Sequence, residues 1–491
     1  MTKHVVIIGG GLAGLAAAVG LAGRPNLRVT LCESRPRWGG RASSFVDQTT
    51  GECIDNCQHV VLGCCTNFRH FCATIGIESF FCREDELVFI DPEGRESRMA
   101  ASSLPAPLHL APAFARFGFL SWHDKFRLAL GLRALARTDP AACAGETFLD
   151  WLNRHGQTPA TIDRFWHVVL VSALSETLDR IDVGHARKVF VDAFIANRHG
   201  WEVWLPTAPL DELYGPRLET WLAARNVTPR LQSGAKRLLF DPVRTKGGEA
   251  APSTALPARA TGVELRSGER IDADEVILAV PQNLVLALLP ESWHTHPSLA
   301  GIERLETAPI SSVHLWFDRP ITELRHATFV GKQSQWLFNR SAIQATFARD
   351  DSALRTPNPE LHYYQVVISA SREVVEAGND ATIRAVVDEL ASFWPVVREA
   401  RLVHSRLVTE HKAVISMLPG VDQLRPAQQS PIDNLQLAGD WTQTGWPGTM
   451  EGAVRSGYLA AENVLQACGT PARLVQPDLP RALLSKLLFG L

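Results

Sequence analysis

The sequence predicts an α/β protein. A Rossmann-like nucleotide-binding domain, a parallel sheet with helices assembled from separated segments, is joined to a mixed α+β substrate domain. Three observations carry that reading. Residues 4–8 are a short, largely β-branched run that ends abruptly in glycines. Residues 12–22 are nearly all Ala, Leu, Gly and Val, a helix apolar all round that must be enclosed on several sides. Leu27–Cys32 then reads as a second buried strand. Together these segments fill about thirty residues, the length a right-handed parallel crossover requires.

Later stretches read as returns to the same sheet. Residues 261–271 form a hairpin pattern around Arg266, Ser267 and Gly268, residues 275–281 a buried strand stopped by Pro281, and residues 434–440 a strand with a glycine exit. The long helical or mixed stretches between them belong to a second, substrate-facing domain. The expected division gives 1–100, 216–284 and 426–469 to the nucleotide-binding domain and 101–215 and 285–425 to the substrate domain, with 470–491 as a tail. Residues 243–260, rich in Pro, Gly, Ala and Thr, are expected to be a surface loop.

A chain of 491 residues with 46% apolar and 21% charged residues is of ordinary globular composition and long enough for two or three domains. Forty-nine basic against 52 acidic residues give a net charge of -3, which argues against a nucleic-acid partner. No apolar stretch is long enough to cross a bilayer, and the N-terminal run leads straight into a glycine motif rather than a cleavage site, so a cytoplasmic protein is expected. Nine cysteines, six of them crowded between Cys53 and Cys82, lack zinc spacing and are expected to be reduced and packed, with no metal site.

Gly9, Gly11 and Gly14 satisfy G-x-G-x-x-G between the first strand and the first helix. Gly9 permits the turn, Gly11 lets the backbone approach a pyrophosphate, and Gly14 allows the helix to pack closely on the strand. The first helical amides, at Leu12, Ala13 and Gly14, then point with the helix dipole at phosphate. Glu33, followed by Ser34, ends the second strand and is placed to accept ribose hydroxyls. A carboxylate there repels a 2′-phosphate and disfavours NADP. The fingerprint alone leaves FAD and NAD open. A second glycine stretch, with Gly39, Gly40 and Arg41, permits another close backbone approach, with Arg41 available to pair with phosphate.

With Arg37-Trp38-Gly39-Gly40-Arg41-Ala42-Ser43-Ser44, the sequence resembles the FAD-dependent amine oxidase and phytoene desaturase superfamily, which carries an R-x-G-G-R-x-x-S stretch after the ribose-binding acid. The superfamily's C-terminal flavin signature is matched by Ala438-Gly439-Asp440 and by the segment from Gly445 to Gly457. The resemblance implies FAD, with Gly439 and Asp440 at the ribityl or pyrophosphate region. It also implies that Gly448, Thr449 and Met450 present helix amides near the flavin pyrimidine, and that Ala235 stands where the family usually has a valine beside the adenine.

Two further stretches, Asp55 to Asn67 and Leu104 to Pro112, resemble the squalene-associated branch of that superfamily, the hydroxysqualene dehydroxylases of squalene and hopanoid biosynthesis. That likeness implies reductive removal of an allylic hydroxyl from a C30 polyprenyl substrate, with hydride from reduced flavin and a long apolar tunnel. Asp55 and His59 are the candidate acid pair, and Trp441 and Trp446 the candidate aromatic lining of the substrate pocket. Alternatives are a carotenoid desaturase, an amine oxidase and a flavin-binding partner without turnover. The amine oxidase is weakened because residues 309–317, where a lysine would face the flavin, contain none. The tail carries Arg481 and Lys486 among apolar residues. That composition suits peripheral contact with the inner face of the cell membrane, or equally a terminal helix docked on the protein itself.

Overall fold

The computed structural model describes residues 2–241, 259–345 and 360–491. Its centre is a five-stranded, wholly parallel sheet in the order Val227–Arg230, Leu27–Cys32, Lys3–Ile8, Glu275–Leu278, Leu435–Leu437. Lys3–Ile8 and Glu275–Leu278 are buried almost throughout, as continuous apolar runs covered on both faces must be. The first helix, Leu12–Leu21, has all ten residues buried. One side lies on the sheet. The other meets the Met450–Ala467 helix, which approaches so closely that a Cβ on Gly457 would stand 2.1 Å from the Ala13 carbonyl oxygen. Each large apolar side chain so enclosed contributes about 1.5–3 kcal/mol.

A second layer is a seven-stranded sheet in the order Leu402–Ile415, Thr307–Phe317, His362–Ser369, Trp336–Asn339, His326–Phe329, Leu87–Ile90, Glu96–Met99. All its pairings are antiparallel except that of His326–Phe329 with Leu87–Ile90. The strands at 87–99 therefore lie in the seven-stranded sheet, although the expected division at residue 100 grouped them with the nucleotide-binding segments.

The hairpin expected at 261–271 is present as Ala260–Leu265 and Arg270–Asp272, yet it does not return to the parallel sheet. It pairs with Ala235–Phe240 in a separate three-stranded antiparallel sheet. The loop expected at 243–260 falls, except for its last two residues, outside the described residues. The tail docks on the body: the Ala482 amide donates to the Ala196 carbonyl at 2.8 Å and Ser485 Oγ to the Ile195 carbonyl at 2.6 Å. Among the described residues no helix is long and apolar enough to cross a membrane.

Candidate functional site

The first glycine turn is shaped by close approach. Gly9 has φ +110°, and a Cβ on Gly14 would lie 1.9 Å from the Gly9 carbonyl oxygen, so helix and strand meet only because neither residue carries a side chain. Gly11 is different. A Cβ there would meet nothing nearer than Gly40 Cα at 3.9 Å, so Gly11 borders open space. It caps the first helix with no side-chain acceptor, which leaves the amides of the first turn facing that space.

The second glycine stretch forms the opposite wall. Gly39 pairs with Gly11 in an isolated parallel bridge, and its amide donates to the Gly10 carbonyl at 2.9 Å. Buried Glu33 ties the two walls together, accepting the Gly10 amide at 2.7 Å on one oxygen and the Arg35 amide at 2.7 Å and Ser34 Oγ at 2.9 Å on the other. Ala235 begins beside this corner, since the preceding Gly234 lies against Ser34 and the Ser233 amide donates to the Glu33 carbonyl at 2.7 Å.

The third motif closes the groove. Arg41 makes an ion pair with Asp440 and donates to the Ala413 carbonyl at 2.8 Å. Arg41, expected to pair with phosphate, is thus the tie between the second and third motifs. The Gly439 amide donates to Ser456 Oγ at 2.8 Å. Beyond it, Thr449 caps the Met450–Ala467 helix by accepting the Gly452 amide at 3.3 Å. Thr449 and Met450, at the start of that helix, line a cavity of about 270 Å³ whose walls are mostly apolar, while Gly448 lies against Ile415.

That cavity runs from Thr449 and Met450 to the seven-stranded sheet, where Phe89, Thr328, Trp336 and Val367 face it. Trp446 lines it as expected. Trp441 does not: it is buried in the core with Nε1 donating to the Val280 carbonyl at 3.0 Å, because the turn after Gly439 folds its ring back over the glycine.

The expected acid pair is also corrected. Asp55 Oδ1 accepts from Ser44 Oγ at 2.7 Å and from the Leu210 amide at 2.8 Å, which makes it the anchor for the start of the Leu210–Tyr214 helix. Its other oxygen lies 3.7 Å from buried Arg340. His59 Nδ1 donates to the Cys57 carbonyl at 2.9 Å, and burial pushes its pKa down. The ring is therefore neutral near pH 7 with Nε2 as an acceptor, and a neutral imidazole in that tautomer has no proton to give from Nε2. No hydrogen bond joins Asp55 to His59 among the described residues.

Several residues that carry the site had no local signal. Lys188 lines the cavity, held by Asp192 at 2.6 Å and lying 4.3 Å from the Trp446 ring centroid. Arg425 is almost fully buried and donates from Nη2 to the Asp440 carbonyl at 3.0 Å and the Trp446 carbonyl at 2.8 Å. Glu451, quoted within the third motif but given no role, accepts from Asn67 and Phe68 at the start of the Thr66–Ile75 helix. All nine cysteines are free thiols; Cys57, Cys64 and Cys65 line the cavity, and burial pushes the Cys57 pKa up to about 12.

A parallel sheet whose glycine turn faces a second glycine wall, opening at its far end on an apolar cavity, defines a dinucleotide-dependent oxidoreductase. The chain belongs to the family of flavin-containing amine oxidoreductases, whose model matches residues 12–465. It is 26% identical over 488 residues to the chloroplastic/chromoplastic 15-cis-phytoene desaturase of Solanum lycopersicum, covering 94% of this chain and 78% of that protein. It is 27% identical over 498 residues to a probable zeta-carotene desaturase of Synechococcus elongatus, covering 94% and 99%. In fold it resembles an oxidoreductase from Methanosarcina mazei, with a TM-score of 0.67 at 16% identity over 94% of this chain and all of that one.

The protein is a FAD-dependent oxidoreductase. The residues that would hold the cofactor are Glu33 toward a ribose, the first-turn amides bordering the open space at Gly11 toward a pyrophosphate, and the start of the Met450–Ala467 helix toward the ring.

Proposed function

We propose that this protein removes the allylic hydroxyl of hydroxysqualene to give squalene. The observation that carries the reading is the cavity, walled almost wholly by apolar side chains with the Lys188 ammonium among its few polar groups. Such walls suit a polyprenyl chain, and a proton-bearing group on them suits the departure of one hydroxyl. The likeness of residues 55–67 and 104–112 to the squalene-associated branch supports the same substrate.

FAD, bound in its reduced form, supplies the hydride. The balance is simple: the allylic C–O bond breaks with its electron pair on oxygen, a proton makes that oxygen water, and the hydride forms the new C–H bond. The chain's residues do the rest. Apolar walls such as Phe89, Phe338 and Val367 keep water from an allylic cation. The Lys188 ammonium, held by Asp192 over the Trp446 ring, sets a proton-bearing group on the same wall.

A second reading, desaturation of a carotenoid precursor, is favoured by the desaturase relatives and runs electrons the other way. Anaerobic single-turnover absorbance separates the two. Hydroxysqualene is expected to reoxidise photoreduced enzyme, with squalene as product; bleaching of the oxidised enzyme by phytoene, with no reoxidation by hydroxysqualene, would overturn the proposal.

A further inference from the structure

Of the twelve large apolar side chains that stand most exposed among the described residues, eight fall in just two segments, 104–130 and 483–488. Trp122, Phe126 and Leu130 project at four-residue spacing from the Trp122–Arg137 helix, while its opposite face, with Leu128 and Leu135, is buried. Leu483 and Leu487, 84% and 75% exposed, project from the tail helix Leu483–Phe489, whose Ser485 faces inward. The two helices touch, with Arg137 Nη2 donating to the Leu488 carbonyl at 3.4 Å. Arg198 and Asn197 join the neighbouring segments, donating to the Leu104 carbonyl at 2.9 Å and the Pro480 carbonyl at 2.8 Å.

The charge around this face is mostly positive. Between residues 104 and 138 five cations stand against one acid, and the last thirteen residues hold Arg481 and Lys486 with no acid. Lys125, Arg133, Arg137, Arg481 and Lys486 make no ion pair among the described residues, in a chain where most buried and many exposed carboxylates have found one. Phe194 links the face to the cavity: it lines the cavity and packs on the cluster that holds Phe489 and Leu491.

We infer that this face, the outer sides of the Trp122–Arg137 and Leu483–Phe489 helices with their unpaired cations, seats the protein on a bilayer carrying anionic phospholipid headgroups. Exposed Trp, Phe and Leu sink into the interfacial region while Lys and Arg meet phosphate, each cation near an anionic surface strengthening the attachment. The tail is thus docked on the protein through Ser485 and Phe489 and presented to lipid through Leu483 and Leu487. The inference rests on the surface and not on the substrate, so vesicle binding and turnover can fail separately.

The test is sedimentation of the full-length, flavin-loaded protein with vesicles of phosphatidylcholine alone and of phosphatidylcholine with phosphatidylglycerol. The protein is expected to pellet with the anionic vesicles. The W122S/F126S/L483S/L487S variant, altered only at exposed sites and checked by its flavin spectrum, should bind them at least about tenfold more weakly. The R133Q/R137Q/R481Q/K486Q variant should lose the preference for phosphatidylglycerol. Wild-type protein left in the supernatant, or an apolar variant that pellets equally, overturns the inference. So does light scattering, without vesicles, that finds a dimer made monomeric by the apolar variant, since the face would then be a contact between copies.

Discussion

Glu451 Oε1 accepts two hydrogen bonds from Asn67, one from its amide at 3.2 Å and one from Nδ2 at 2.9 Å, across 384 residues of chain. The other carboxylate oxygen takes the Phe68 amide at 2.8 Å. The start of the C-terminal flavin-motif helix therefore caps the Thr66–Ile75 helix, and burial, opposed by these bonds, pushes the Glu451 carboxyl pKa up. Removing the acceptor in E451A leaves buried amides unpaired, at about 1–3 kcal/mol each. We expect a lower Tm and poor flavin retention, read from the ratio of flavin to protein absorbance, with E451Q closer to wild type. Wild-type stability in E451A would show that the cap carries no weight.

Gly11 and Gly14 should separate folding from cofactor binding. In G14A the new methyl meets the Gly9 carbonyl at a distance no real contact allows, so the protein should be strongly destabilised. In G11A the methyl enters open groove at a backbone angle any residue adopts, φ −75°. That variant should fold with nearly unchanged apoprotein Tm and bind FAD at least about tenfold more weakly, because the lost space is where pyrophosphate approaches. Titration of apoprotein with FAD, followed by flavin fluorescence, measures it.

Arg425 holds the Asp440 and Trp446 carbonyls with one nitrogen and Asp422 with the other, at 2.9 Å. R425M frees two buried carbonyls at once. The expected cost is about 2–4 kcal/mol in chemical denaturation, with early flavin release on heating, since the loop between the motif at 438–440 and the helix at Met450 loses its only buried guanidinium among the described residues.

His314 is enclosed in the seven-stranded sheet with Nδ1 hydrogen-bonded to Tyr363 Oη at 2.7 Å and Nε2 unpartnered. Burial, and then the Arg406 and Arg340 charges, push its pKa down to about 3. The unfolded chain takes up that proton near pH 6.5, the folded protein only near 3, so the stabilisation is present above 6.5 and lost as pH falls between the two. The slope is about 1.4 kcal/mol per pH unit. Denaturation at pH 7 and pH 5 should show a shallower decline in H314N than in wild type; parallel declines would exclude His314 as the source.

Thr328 tests the cost of an unpaired buried hydroxyl. T328V should raise the Tm by removing that hydroxyl while keeping the shape of the side chain, with T328S no more stable than wild type. A T328V protein that melts with wild type would show that the hydroxyl carries no such cost.

The β-α-β unit was legible in the sequence almost to the residue. Leu27–Cys32 is observed as expected, and the first helix ends one residue short of the expected range. The first glycine turn was legible for the same reason, since glycine is demanded by local turns and close approaches and its spacing is printed in the chain, whereas the second and third motifs were read as flavin signatures through the family resemblance. Sheet membership was not. The hairpin at Ala260–Leu265 was readable as a hairpin, but its partner, Ala235–Phe240, is chosen by packing. His59 carried the residue type of a proton donor, and only its surroundings decide that Nδ1 is spent on Cys57.

By itself, then, the sequence determined the N-terminal β-α-β unit, because that unit is built from contacts between near neighbours and from glycine spacing. Tertiary structure alone decided which side chains meet at the cavity. Thr328, Lys188, Arg425 and Glu451 acquire their roles from partners far away in the chain, or from having none. Burial, which sets the energy of an unpaired hydroxyl or a held guanidinium, is a property of the packed whole.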